Sequence, residues 1–188
     1  MNQHGMMRGS HSHRFFFAFK PDPVTARRTD IFAEGIARGV RRIRPEHLHM
    51  TLAITHDYPD YPHALVERLL AAGDSIRADP LTVTFDRLVE GYRSVSLRPS
   101  HRDPALMVLQ RDIVATAAAH GALLREDYSF DPHQTLCYRD GPVHQRRCPP
   151  IAWAVTELAL VHSIYGRTHH ATLRSWALMG APQGAFAF

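Results

Sequence analysis

The 188-residue chain has a single lysine, Lys20, two cysteines and no long apolar run. Each scarcity removes a class of protein. Nothing approaches the roughly 20 consecutive apolar residues that cross a bilayer, so no spanning helix and no membrane partner is expected. The most apolar run near the start, Phe15–Phe19, is too short for a signal-peptide core and lacks its flanks, which makes a soluble, cytoplasmic protein the expectation. Cys137 and Cys148 have no metal-like partner spacing and make no disulfide scaffold, so reduced thiols are expected. The length falls short of the roughly 250 residues of a (β/α)₈ barrel, yet it suffices for one domain with a sizeable core.

With lysine nearly absent, all but one of the 22 basic side chains are arginine. A planar guanidinium suits bidentate phosphate recognition, although codon bias in a GC-rich genome is the favoured explanation of the arginine excess as a whole. The net charge of +4 permits an anionic substrate and is too small for a protein that coats nucleic acid. A 45% hydrophobic content argues for a folded chain. Fourteen histidines leave three readings open: metal, acid–base chemistry, or nothing.

Residues 1–13 lack periodicity and read as a disordered leader, residues 14–180 as a single domain, and residues 181–188 as a tail. Arg14–Phe19 predicts a strand closed by the Pro21–Pro23 turn, and Val24–Gly39 a helix. Leu48–Thr55 alternates with period two, placing Leu48, Met50, Leu52 and Ile54 on one face and His49, Thr51 and Ala53 on the other. Pro62–Ala78 and Pro104–His120 predict two more helices. Leu81–Leu88 with Tyr92–Leu97 suggests an antiparallel pair, Pro132–Tyr138 a strand, and Ala152–Ile164 and Ala171–Leu178 two closing strands. Gly141–Pro150 reads as a loop whose Arg146 and Arg147 could approach an anion. Helices interspersed among mostly antiparallel strands indicate an α+β fold.

Two strings match each other across the chain: His49-Met50-Thr51-Leu52 and His133-Gln134-Thr135-Leu136, each reached through a proline. On a strand, His and Thr leave one face while the following Leu enters the core. With 14 histidines, chance predicts about 0.07 strings of the form His-x-Thr-Leu, and three occur. The third, His170-Ala171-Thr172-Leu173, lacks the preceding proline and reads as a structural or rim residue.

Cleaving a phosphodiester without a metal needs a base for the nucleophile and an acid for the leaving oxygen, and histidine serves as either near neutral pH. Two strands facing each other across a cleft put those groups on opposite sides of phosphorus. A Thr hydroxyl two residues on can hydrogen-bond a non-bridging oxygen.

The paired motif resembles the two-histidine (2H) phosphoesterase superfamily, within it the 2′-5′ RNA ligase or RNA 2′,3′-cyclic phosphodiesterase branch, with likeness from Arg14 to about Gly180. The resemblance implies a bilobal, pseudo-twofold fold, with two mostly antiparallel sheets around a central cleft and helices outside. It implies metal-independent hydrolysis of 2′,3′-cyclic phosphates to 2′-phosphomonoesters and weak 2′-5′ ligation; RNA ends or small cyclic nucleotides are the expected partners, and a monomer without a cofactor is expected. By motif position His49 would be the acid, His133 the base, and Thr51 and Thr135 the phosphate holders. Many members carry an Arg five residues after the second motif His. Here Tyr138 stands there, and strict alternation would put Arg139, with Cys137 as a small filler, on the His133/Thr135 face instead.

Two rivals remain. A metal-dependent hydrolase could use the His47/His49 pair, although no carboxylate stands at ligand spacing. A non-catalytic RNA-binding protein could stack bases on Phe15, Phe17, Tyr92 and Tyr138, but it gives no reason for paired His and Thr.

Overall fold

The computed structural model describes residues 11–165 and 169–180. Eight strands and three helices follow in the order β1 (Ser12–Phe19), α1 (Pro23–Ile36), β2 (Met50–Ile54), α2 (His63–Ser75), β3 (Leu81–Glu90), β4 (Val95–Arg98), α3 (Pro104–Ala119), β5 (Gln134–Cys137), β6 (His144–Val155), β7 (Glu157–Tyr165) and β8 (His169–Ala177). The helices begin where the sequence supplies caps. The Asp22 carboxylate accepts the Val24 and Thr25 amides ahead of α1, and Asp103 does the same for Ala105 and Leu106 ahead of α3. A proline follows each cap, where its missing N–H costs nothing.

The strands form two four-stranded antiparallel sheets: sheet A in the order β2-β1-β7-β8, and sheet B in the order β5-β4-β3-β6. The fold is α+β, as the alternation of elements suggested. Each motif strand is the edge of its sheet, and each edge is covered by chain from elsewhere. The Ile43 amide donates to the Leu136 carbonyl beside β5, and the Arg125 amide donates to the Ile54 carbonyl beside β2. Edges that would otherwise expose unpaired backbone are thus satisfied. Helices α2 and α3 pack together over sheet A, α1 packs against sheet B, and one core gathers Phe15, Phe17, Phe19, Leu52, Phe85, Leu97 and Trp153. No helix among the described residues is long and apolar enough to cross a membrane.

Two boundaries differ from the sequence reading. β1 starts at Ser12, because residues 12–14 pair with the far end of β7 and His13 exchanges backbone hydrogen bonds with Tyr58 at 2.7 and 2.9 Å. The rest of the expected leader, and the expected tail from residue 181, lie outside the described residues. The segment expected as a loop, Gly141–Pro150, instead becomes a strand from His144 onward, pairing with β3. Pro149 and Pro150 are tolerated because β6 is an edge strand and they fall where the register slips opposite Phe85–Arg87.

Candidate active site

The chain entering β2 buries its core residues as the alternation demands: Leu48 just before the strand, and Met50 and Leu52 within it. His49 and Thr51 leave from the other face. A register shift in the β1–β2 pairing then sends Ala53 into the core and turns Ile54 onto the face of His49 and Thr51. β5 follows the same rule with Gln134 and Leu136 inward and His133 and Thr135 outward. All four motif side chains line one cleft of about 580 Å³, together with Arg14, Phe16, Tyr138, Tyr165 and His170.

Each motif imidazole is held by the same device. His49 Nδ1 lies 2.7 Å from the His47 carbonyl oxygen, and His133 Nδ1 lies 2.7 Å from the Asp131 carbonyl oxygen. A carbonyl only accepts, so Nδ1 of each ring carries the proton and donates. Nε2 of each neutral ring is then left as a base. The surroundings differ. His49 stacks on Phe16 at 4.9 Å between ring centres and meets His170 edge-on at 5.5 Å. Burial, with the nearby positive charge of His133 and Lys20, pushes its pKa down to about 4 against the opposing pull of the His47 carbonyl. Burial also lowers His133, helped by the Arg98 guanidinium. Both shifts favour the neutral, basic form of each ring at pH 7.

The wall around them is braced. The Tyr128 hydroxyl donates to the Thr51 carbonyl at 3.1 Å, and burial raises its pKa to about 12, so it remains a donor. Arg14 brings a cation into the cleft but is clamped by Asp57 at 2.5 and 2.6 Å and lies over Tyr165.

The position of Arg139 is a correction. A register shift between β4 and β5 buries Leu136 and Cys137 in succession, which breaks the alternation. Tyr138 therefore swings onto the cleft, and Arg139 turns away to Glu90 and the Ile36 carbonyl. Cys137 belongs to the core rather than to the His/Thr face. His170, expected at most at the rim, lines the cleft: β8 pairs with β7, placing its ring on His47 at 5.1 Å and against His49. The cleft roles of Phe16, Arg14 and Tyr165 were missed, and only strand register reveals them. Among the described residues no group of three or more His, Cys, Asp or Glu side chains is arranged to hold a metal ion, and His47 faces His170.

The family model described as 2′-5′ RNA ligase superfamily matches residues 21–166. No curated protein matches the chain. Among solved structures, Escherichia coli LigT complexed with phosphate is 25% identical with a TM-score of 0.67, covering 90% of this chain and 99% of that one. The same protein complexed with NADP+ is 26% identical with a TM-score of 0.67, over 89% and 98%. A Thermus thermophilus protein, 21% identical over 89% and 98%, shares the fold with a TM-score of 0.68.

Proposed function

The chain belongs to the 2′-5′ RNA ligase superfamily of two-histidine phosphoesterases, and from that membership we propose that it hydrolyses 2′,3′-cyclic phosphates to 2′-phosphomonoesters without a metal. One observation carries the reading. Two imidazoles, each locked by a carbonyl two residues back, leave both Nε2 atoms to one cleft that also holds Thr51 and Thr135. That is the arrangement in-line displacement requires.

In the proposed reaction, His133 Nε2 takes a proton from water as the oxygen forms its bond to phosphorus. The P–O3′ bond breaks on the opposite side, and His49 Nε2–H delivers a proton to the departing O3′. The Thr51 and Thr135 hydroxyls donate to the non-bridging oxygens. His49 takes the proton that makes it an acid from solvent as the substrate binds, because a phosphate anion between the rings favours the charged form of each. The pair shares that proton, and its apparent pKa values belong to the pair. The ring walls of Phe16, Tyr138 and Tyr165 suit a nucleoside attached to the phosphate. With a 5′-hydroxyl in place of water, the same proton transfers would form a 2′-5′ linkage.

The test is turnover of adenosine 2′,3′-cyclic phosphate with excess EDTA, with the product read by phosphorus NMR. The expected result is adenosine 2′-phosphate at an EDTA-insensitive rate. A 3′-phosphate product would reverse the roles of the two histidines. Loss of activity in EDTA would favour a metal hydrolase, and binding without turnover a non-catalytic RNA-binding protein.

A further inference from the structure

The strand row that starts at His133 continues across sheet B as arginine. Leu97 on β4 pairs with Gln134 on β5, so the next step brings Arg98 opposite His133. Arg98 pairs with Arg87 on β3, and Arg87 with Arg147 on β6. Directly opposed residues project from the same face of a sheet. Leu88 and Leu97 occupy the core on the other side, so His133, Arg98, Arg87 and Arg147 form one line on the open side. At the usual strand spacing that line is about 14 Å long.

Like charges set directly opposite one another are destabilising, and little acid intervenes here. Asp131 pairs with Arg98, one Arg87 nitrogen donates to the Pro99 carbonyl, and Arg147 is exposed with no ion pair among the described residues. The Nε groups of both Arg87 and Arg98 are buried without a partner. Burial and the neighbouring charge of Arg87 also hold the Arg98 pKa below its ordinary value. Sheet A offers nothing comparable: its open face is closed by Phe16, Ala18, Ala159 and Val161.

A line of opposed guanidinium groups with unused N–H donors, leading away from the reacting centre, matches a chain of phosphates. We propose that the open face of sheet B is a phosphate-binding track for single-stranded RNA, with Arg98, Arg87 and Arg147 holding backbone phosphates of a chain whose cyclic end reacts between His49 and His133. The proposal rests on the cyclic phosphodiesterase reading above and makes the substrate an oligonucleotide end rather than a free nucleotide.

The experiment compares kcat/KM for a tetraribonucleotide ending in a 2′,3′-cyclic phosphate with kcat/KM for adenosine 2′,3′-cyclic phosphate. The oligonucleotide is expected to be favoured about tenfold or more, with a log–log salt slope steeper by ~0.7 for each extra phosphate held. Arg147→Glu should collapse that ratio toward one and flatten the slope. Arg147 is exposed and makes no ion pair among the described residues, so its substitution reads charge and not folding. Arg87→Gln should repeat the effect from the middle of the line. Equal kcat/KM for the two substrates in the unaltered protein, or a ratio untouched by both substitutions, overturns the track. Failure of the parent reading is distinct: neither substrate turns over. Binding of a labelled tetraribonucleotide then still decides, since an affinity insensitive to salt or unchanged in Arg147→Glu overturns the proposal.

Discussion

β2 and β5 offer the cleft the same groups: an imidazole locked at Nδ1 by a carbonyl two residues back, and a threonine hydroxyl beside it. The ground behind them is different. On sheet A the first imidazole lies against Phe16 and His170, on a face closed by small and aromatic residues. On sheet B the second lies beside Arg98, at the head of a line of guanidinium groups. A duplicated motif therefore delivers equal chemistry into unequal environments. The drier side disfavours a charged imidazole more strongly, and the basic side favours an anion. In the proposed reaction His49 must gain its proton against the drier side, so its role as acid depends on the bound phosphate rather than on burial.

The largest expected effect tests whether the two sides act as one unit. His49→Ala and His133→Ala should each lower kcat/KM for a cyclic phosphate by about 10² to 10⁴, and the double variant should cost far less than the product of the two. A substrate with sulfur in place of O3′ separates the sides. A thiolate departs without a proton, so His49→Ala should regain most of its loss on that substrate and His133→Ala should not. Equal rescue of both variants would erase the distinction between the two strands.

A smaller effect should appear in stability. The folded-state pKa of each motif histidine lies below the ordinary imidazole value, so the unfolded chain binds its proton first as pH falls. The stability tied to a neutral His49 is fully present above pH ~6.5 and is lost progressively as the pH falls toward about 4. Urea midpoints measured at pH 7.5 and 4.5 should therefore converge in His49→Gln relative to the unaltered protein, and converge less in His133→Gln. A larger convergence in His133→Gln would put the drier environment on the wrong sheet. In activity the same shifts put the acid limb of kcat/KM, which reports the free enzyme, below the ordinary imidazole range. The limb for kcat should lie higher, because the bound phosphate favours protonation.

Much of this was legible in the chain itself, for reasons that stop at one strand. Leu48, Met50 and Leu52 announce the buried face of β2, and Asp22-Pro23 and Asp103-Pro104 announce two helix starts, because alternation and capping depend on neighbours in sequence. Pairing of two matched His-x-Thr strings then selected His49 and His133 from fourteen histidines. What depends on a partner strand was not legible. The shifts that turn Ile54 and Tyr138 onto the cleft are set by β1 and β4, and His170 reaches His49 only through the β7–β8 register. The arginine line needs the registers of three strands, one of which contains two prolines and did not read as a strand at all. Arg146 and Arg147 read as loop residues in the sequence, whereas they lie on an edge strand paired with β3.

The smallest expected effect concerns the residue on which sequence and structure disagree. Strict alternation carries Arg139 onto the phosphate face, whereas consecutive burial of Leu136 and Cys137 turns it to Glu90. If the register shift is right, Arg139→Ala removes a partly exposed ion pair and one bond to the Ile36 carbonyl, at a cost of about 1 kcal/mol of stability. Its kcat/KM for a cyclic phosphate should then stay within about twofold, far short of the tenfold loss that 1.4 kcal/mol of transition-state binding would produce. Tyr138→Ala should affect catalysis more and stability less, because its exposed ring lines the cleft and supports little of the core. The reverse ordering, with Arg139 governing turnover and Tyr138 governing stability, would mean that β5 keeps its alternation when substrate binds. The two motif strands would then be more alike than their surroundings indicate.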